Sequence, residues 1–154
     1  MKTLTTNQNF LSPVGFKFTI DSTKYPNLEY FCTAVTLPSL SLSESPVPYK
    51  GVNFSMTGDR LTFDDLTIRF NVTENMENYV ETLEWIQNIV NEGEDYKSDA
   101  ILSVLSSHNN VTKQIKFIDI FPNNLSAIEF STQQTDIEYV QADVTFKYSY
   151  FEIL

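Results

Sequence analysis

The sequence predicts a mainly β domain, an antiparallel β-sandwich or barrel with one flanking α-helix. Three observations predict it. Apolar and polar residues alternate in several segments, the period that turns one strand face to a core and the other to water. One segment alone changes to the helical period. The 154 residues contain no repeat of about 20 to 50 residues and no low-complexity linker, which fits a single domain over residues 1–154.

The elements follow in chain order. A short polar N-terminal arm, residues 1–12, precedes a strand in which Val14, Phe16, Phe18 and Ile20 alternate with Gly15, Lys17, Thr19 and Asp21. A weaker strand signal covers residues 28–35. Residues 36–50 break the pattern, because Pro38, Pro46 and Pro48 cannot sit in a central strand while Leu40, Leu42, Val47 and Tyr49 are too apolar for an idle loop. This segment is expected to be an extended loop arm, folded over the domain's own core or laid on another subunit. The crossing is favoured, since the apolar side chains otherwise stay in water.

A weak strand at 52–57 is followed by a strong one, in which Leu66, Ile68, Phe70 and Val72 alternate with Asp65, Thr67, Arg69 and Asn71. Then Met76, Tyr79, Val80, Leu83, Ile86, Ile89 and Val90 recur at helical spacing, with Asn75 as the expected N-cap and Gly93 just past the end. Burial of Tyr79, Leu83 and Ile86 on the sheet predicts a loss of about 2–5 kcal/mol for Leu83→Ala. Trp85 falls beside this stripe, at the edge of the core. Weaker strands at 100–105 and 111–121 lead to Val140, Ala142, Val144, Phe146, Tyr148 and Tyr150, alternating with Gln141, Asp143, Thr145, Lys147 and Ser149. Several weaker strands are apolar on both faces, so they need a second cover, a helix or a neighbouring subunit.

Composition narrows the function. Ten Lys and Arg against twenty Asp and Glu give a formal charge of -10, which repels a nucleic-acid backbone and argues against phosphate binding. With Cys32 as the only cysteine, no internal disulfide is possible. The first residues lack the apolar stretch of a signal peptide, and no run of about 18 apolar residues occurs, so neither classical export nor a membrane span is expected.

Chemistry finds little material. His108 is the only histidine and lies in the turn-like run Ser106-Ser107-His108-Asn109-Asn110, so no nucleophile-base pair or zinc site is legible. Asp59, Asp64, Asp65 and Glu74 crowd one span, but on a strand Asp64 and Asp65 point to opposite faces and cannot converge on an ion or substrate. Nucleotide-binding and serine-hydrolase motifs are missing. No catalytic residue, cofactor or metal is expected. A carbohydrate- or protein-binding β-sandwich is the rival reading, and it would need an aromatic platform on a loop.

The stretch Gly58-Asp59-Arg60-Leu61-Thr62-Phe63-Asp64-Asp65 resembles the G-D-x-x-T-F-D-D signature of tail tube proteins from contractile-tailed, T-even-like bacteriophages. The likeness extends upstream through Phe16-Lys17-Phe18-Thr19-Ile20 and Tyr30-Phe31-Cys32-Thr33-Ala34-Val35-Thr36-Leu37-Pro38. Downstream it takes in the helix with Trp85, Tyr96-Lys97-Ser98, Val111-Thr112-Lys113, Phe121-Pro122-Asn123-Asn124 and the aromatic C-terminal strand. Leu66 departs from members that carry Trp after the paired Asp, and residues 21–27 are a small polar insertion.

The resemblance implies a tube-like fold shared with type VI secretion tubes and a structural virion protein. Such subunits form hexameric rings that join their sheets into an inner barrel and stack into a tube within a sheath. The partners implied are the chain itself, a tail sheath protein, and baseplate and tail terminator proteins, with DNA passing through the lumen unbound and no membrane. The protein would belong to the virion tail and be made in the host bacterial cytoplasm; a baseplate tube-initiator paralogue would share the fold. Expected subunit-interface residues are Leu40, Leu42, Val47 and Tyr49 of the arm and Gly58, Asp59, Arg60, Phe63, Asp64 and Asp65 of the signature. Glu129 and Asp143 are candidates for a lumen kept negative so that a polyanion slides past.

Overall fold

A computed structural model describes residues 6, 9–20, 25, 32–93, 97–136 and 138–154. Most of the expected N-terminal arm, most of the polar insertion at 21–27 and the first part of the expected strand at 28–35 lie outside the described residues. The elements are β1 (Phe16–Thr19), β2 (Cys32–Thr36), β3 (Leu40–Tyr49), β4 (Val52–Phe63), β5 (Leu66–Asn71), α1 (Glu77–Glu92), β6 (Ser98–Leu105), β7 (Val111–Leu125), β8 (Gln141–Lys147) and β9 (Tyr150–Ile153). All strand pairs are antiparallel.

The large sheet has the order β1-β6-β7-β8-β5-β2, with β9 also on β7, and β3 and β4 pair only with each other. β7 serves both halves of the sheet. Its first part pairs with β6 and β9, and its last residues with β8. The register of Phe121 opposite Lys147 continues as Ile118 opposite Tyr150, so β8 and β9 are one interrupted strand running beside β7.

The interruption has a local cause. Asp119 has φ 55 and its amide donates to the Asp99 carboxylate at 3.1 Å, which inserts an extra residue against β6. Phe117 and Ile120 are both buried as a result, where strict alternation would turn one of them outward. On the companion strand Phe146 is inside, Tyr150 is exposed and Phe151 packs on the core. The predicted row from Val140 to Tyr150 therefore holds only for its middle, and the two-sided pattern at 111–121 is a change of phase within one strand.

The core gathers Phe18, Leu66, Ile68, Phe70, Leu102, Phe117, Ala142, Val144 and Phe146 from five strands and the helix's Trp85. The strong periodic segments supply most of it. Val14, expected in the first apolar row, is exposed and precedes β1.

The helix is rotated from its predicted face. Its fully buried residues are Asn78, Thr82 and Trp85, while Val80, Leu83 and Val90 are exposed, Leu83 by 40%. Two polar residues can face the core because each is locally satisfied. Asn78 donates to the Asn71 carbonyl at 2.5 Å and accepts from the Thr73 amide at 3.3 Å, and the Thr82 hydroxyl donates to the Asn78 carbonyl at 3.1 Å. Trp85, expected at the core edge, lies in its middle, stacked on Tyr25 at 4.1 Å and tilted on Phe146 at 5.7 Å. Met76, not Asn75, occupies the N-cap with φ 56 and no side-chain cap; the Thr73 hydroxyl accepts from the Glu77 amide at 3.0 Å instead.

This arrangement reverses the expectation for Leu83. Trp85→Ala is expected to destabilise the unassembled protein by about 3–5 kcal/mol and Leu83→Ala by under about 1.5 kcal/mol, because the Leu83 side chain is already half in water. Chemical denaturation of both variants checks the order, and a larger loss for Leu83 would return the helix to its predicted face.

Candidate functional site

The feature of this fold without an internal explanation is the ribbon of β3 and β4. Residues 36–50, expected as a loop arm, are strand from Leu40 onward. The prolines are accommodated because the ribbon has only two strands, and each strand keeps an edge on which a missing N–H breaks no ladder bond. Lys50 and Gly51, with φ 48 and 80, form the two-residue turn at the tip, the positive-φ pair that matches the twist of a hairpin.

The ribbon grows out of the large sheet. Thr36 lies opposite Thr67 on β2 and β5, and Leu40 lies opposite Phe63 on β3 and β4, in the same register across the gap. The Asp64 amide bridges that gap by donating to the Ser39 carbonyl at 3.1 Å, and the Ser39 hydroxyl donates to the Asp64 carboxylate. Cys32 to Asn71 is thus one long hairpin, rooted at one end and projecting at the other. At the root, the Tyr148 hydroxyl donates to the Asp64 carbonyl at 2.6 Å and Asp65 pairs with Lys147 at 2.6 Å. Phe63 packs edge-on against Phe151 at 5.2 Å, and Phe151 and Tyr148 both pack on Phe117.

Midway, Leu42 opposes Leu61 but Glu44 opposes Thr57, so Gly58, Asp59 and Arg60 bulge against Ser43 alone. A Cβ on Gly58 would stand 2.1 Å from Ser43 Oγ and 2.6 Å from its carbonyl oxygen, so only glycine fits. The Arg60 amide donates to Ser43 Oγ at 3.2 Å. The Gly-Asp part of the sequence signature is therefore a bulge, and its Phe-Asp-Asp part is the root.

Beyond the bulge the ribbon is amphipathic. Val47, Tyr49, Val52, Phe54 and Met56 share one face, and Glu44, Pro46, Pro48, Asn53, Ser55 and Thr57 share the other. The apolar face is open to water, with Phe54 53% exposed and Tyr49 56%. Tyr49 and Phe54 touch at 5.9 Å, and Lys50 lies over the Tyr49 ring.

All ten interface candidates lie on this hairpin, although the sequence placed them on a loop and on a separate motif. Leu40 faces Phe63, Leu42 faces Leu61, and Val47 faces Phe54 across the ladder. Asp64 and Asp65 sit between β4 and β5, not on a strand, yet they bind different partners and do not converge. Val52, Phe54, Met56 and Leu61 were missed as surface residues. Their alternation is visible in the sequence, but not that the Lys50-Gly51 turn pairs them with β3. The two lumen candidates are separate: Asp143, on β8, is bound by Arg69 through bonds of 2.8 and 3.3 Å, and Glu129 is exposed in the loop after β7.

Among the described residues no three of His, Cys, Asp and Glu are placed to hold a metal ion. His108 is exposed in its turn, where Ser106 Oγ accepts from the His108 and Asn110 amides. Burial pushes the Cys32 thiol up to about 11, away from nucleophilic thiolate. Among the described residues no helix is long and apolar enough to cross a membrane.

The model of the phage tail tube protein family matches residues 3–154. The chain belongs to that family. In shape this tail tube protein is similar to the tube-terminating cap of the anti-feeding prophage, with TM-score 0.74 at 18% identity over 99% of this chain and 95% of that one. A chain of the sheath-tube complex of the PVC extracellular contractile injection system matches with TM-score 0.71 at 18% identity, covering 96% and 93%. A chain of the six-fold symmetrised anti-feeding prophage baseplate matches with TM-score 0.63 at 13% identity, covering 100% and 97%. No curated protein sequence matches. These likenesses show the mainly β, tube-like fold.

Two outcomes follow for the ribbon. Gly58→Ala is expected to loosen the ribbon and leave the body intact, so amides of β3 and β4 should lose hydrogen-exchange protection while the melting temperature of the body hardly changes. Unchanged ribbon exchange would show that the bulge tolerates a side chain. The second concerns Tyr148, whose pKa is pushed up to about 12 by burial and then by the nearby charges of Asp64 and Asp65. Because its folded pKa lies above its unfolded value of about 10, its contribution is present below about pH 10 and lost as pH rises toward 12. Tyr148→Phe should flatten that part of the stability profile relative to the parent, and parallel profiles would exclude the linkage.

Proposed function

We propose that this tail tube protein is the structural subunit of the inner tube of a contractile injection particle, assembling with copies of itself into stacked hexameric rings. The exposed apolar face of the β3–β4 ribbon carries this reading. A two-stranded ribbon is marginal in water, and one that displays Val47, Tyr49, Val52, Phe54 and Met56 to solvent is made to be covered. A copy of the same chain is the cover that family membership favours, and the six-fold baseplate with a chain of like fold supports a hexameric ring.

The outward side of α1 fits an enclosing partner. The helix has no Lys or Arg, and its exposed residues include Glu77, Glu84 and Glu92 beside Val80, Leu83 and Val90. A sheath subunit with a basic, partly apolar inner surface would complement it, and the sheath-tube complex holds a chain of this fold. Baseplate and terminator proteins would bind the ends of the tube. DNA would pass through the lumen without specific binding, as the formal charge of -10 suits. The subunit performs no catalysis and takes no cofactor; it acts as wall and conduit in a virion tail, made in the host cytoplasm.

Negative-stain microscopy of the purified protein at rising concentration tests this, with open tubes of uniform width expected. Single closed rings at every concentration would instead mark a cap or initiator paralogue. Replacing residues 45–56 by an Asn-Gly turn should leave a folded monomer that forms no tubes, and tubes from that variant would remove the ribbon from the interface.

A further inference from the structure

The two edges of the ribbon are not equivalent. In an antiparallel pair closed by a two-residue turn, the residues flanking the turn exchange hydrogen bonds, and every second pair away from them points its N–H groups outward. Tyr49 and Val52 flank the turn, so the outward positions are Pro48, Pro46 and Glu44 on β3 and Asn53, Ser55 and Thr57 on β4. Both prolines fall on outward positions, as an intact ladder requires. β3 therefore lacks two of its three outward donors in this half of the ribbon, while β4 has all three.

The side chains repeat the asymmetry. From Val52 to Thr57, β4 has no charge, no proline and no bulge, none of the devices that natural edge strands use to avoid pairing. Its free stretch ends at the Gly58–Arg60 bulge. β3 carries both prolines and Glu44. An edge left complete beside one that is blocked is a directional template.

We propose that the ribbon adds a strand of a second copy of this chain along the outer edge of β4, at Asn53, Ser55 and Thr57, and that Pro46 and Pro48 close the β3 edge so that growth cannot proceed from both sides. A second copy is the occupant because the template is plain backbone, six residues long, on a chain whose family forms tubes; the inference rests on the self-assembly reading and specifies its chemistry. A different strand of the second copy on this edge gives a head-to-tail contact, whereas β4 against β4 would close a dimer. Two open edges on the same ribbon would allow copies to stack edge to edge without a defined order.

Hydrogen exchange on monomer and on assembled protein decides it. The amides of Asn53, Ser55 and Thr57 should slow by about tenfold or more on assembly, as newly bonded strand amides do, while the Glu44 amide stays fast. Ser55→Pro should give a folded monomer that does not assemble, and Glu44→Pro should assemble normally. Pro46→Val with Pro48→Val should form irregular aggregates in place of uniform tubes. Well-formed tubes in which residues 53, 55 and 57 exchange as fast as in the monomer would overturn this edge assignment and leave the tube reading standing, as would protection at Glu44. A parent protein that never assembles would overturn both, and a double valine variant indistinguishable from the parent would overturn the role of the prolines.

Discussion

A backbone ladder satisfies only the groups that face each other across it, and a sheet two strands wide leaves as many outward groups as it pairs. The β3–β4 ribbon lives under this constraint, and much of the surrounding architecture answers it. Its root is continuous in register with β2 and β5, so the first residues of the ribbon inherit the geometry of a wide, buried sheet. Tyr148 and Lys147 hold the crossing at Asp64 and Asp65, and Phe63 is anchored on Phe151 and Tyr148. Those aromatic partners reach the root only because β8 and β9 change phase at Tyr148 and Ser149, following the bulge at Asp119 of β7. Two bulges thus cooperate: one aims the body's aromatics at the root, and the other, at Gly58, releases the distal ribbon.

The strongest period-2 segments were legible because burial on one face imposes alternation. Leu66, Ile68 and Phe70, and likewise Ala142, Val144 and Phe146, are core as read. Where the pattern misled, another interaction outweighed hydropathy. On the helix, Asn78 and Thr82 are polar by composition but lose little on burial, since their hydrogen bonds are made to Asn71, Thr73 and the helix itself. The large aromatic Trp85 then sets the inward face, and Val80, Leu83 and Val90 turn to water. On the ribbon, prolines read as breakers because the sequence does not say whether a strand will have neighbours on both sides. The residues singled out from the sequence nonetheless fall on this ribbon, because Leu40, Leu42, Val47 and Tyr49 are anomalous in any exposed segment, whether loop or strand.

The charge of the molecule is also unevenly arranged. On the outer face of the sheet, Arg69 binds Asp143 and Lys147 binds Asp65, so these charges are matched in pairs. The helix itself carries four glutamates and no basic residue: Glu77 in the first turn suits the helix dipole, and Glu92 in the last turn does not. The exposed carboxylates of Glu77 and Glu84 on α1 fit the proposed enclosing partner.

Assembly and solubility place opposite demands on such a chain. A subunit that must polymerise needs an open strand edge, but an open edge on a free monomer invites uncontrolled pairing. The sequence meets both through position. On the distal ribbon the exposed apolar groups run from Val47 to Met56, on strands whose opposite face carries Glu44, Asn53, Ser55 and Thr57. The bulge at Gly58–Arg60 ends the regular ladder, so the reactive edge is short, and prolines remove donors from the other edge. A short, one-sided template lowers the gain from any single misplaced contact, and stable growth then requires the rest of the interface to fit at the same time. Under this proposal selectivity arises from geometry rather than from a strongly binding patch.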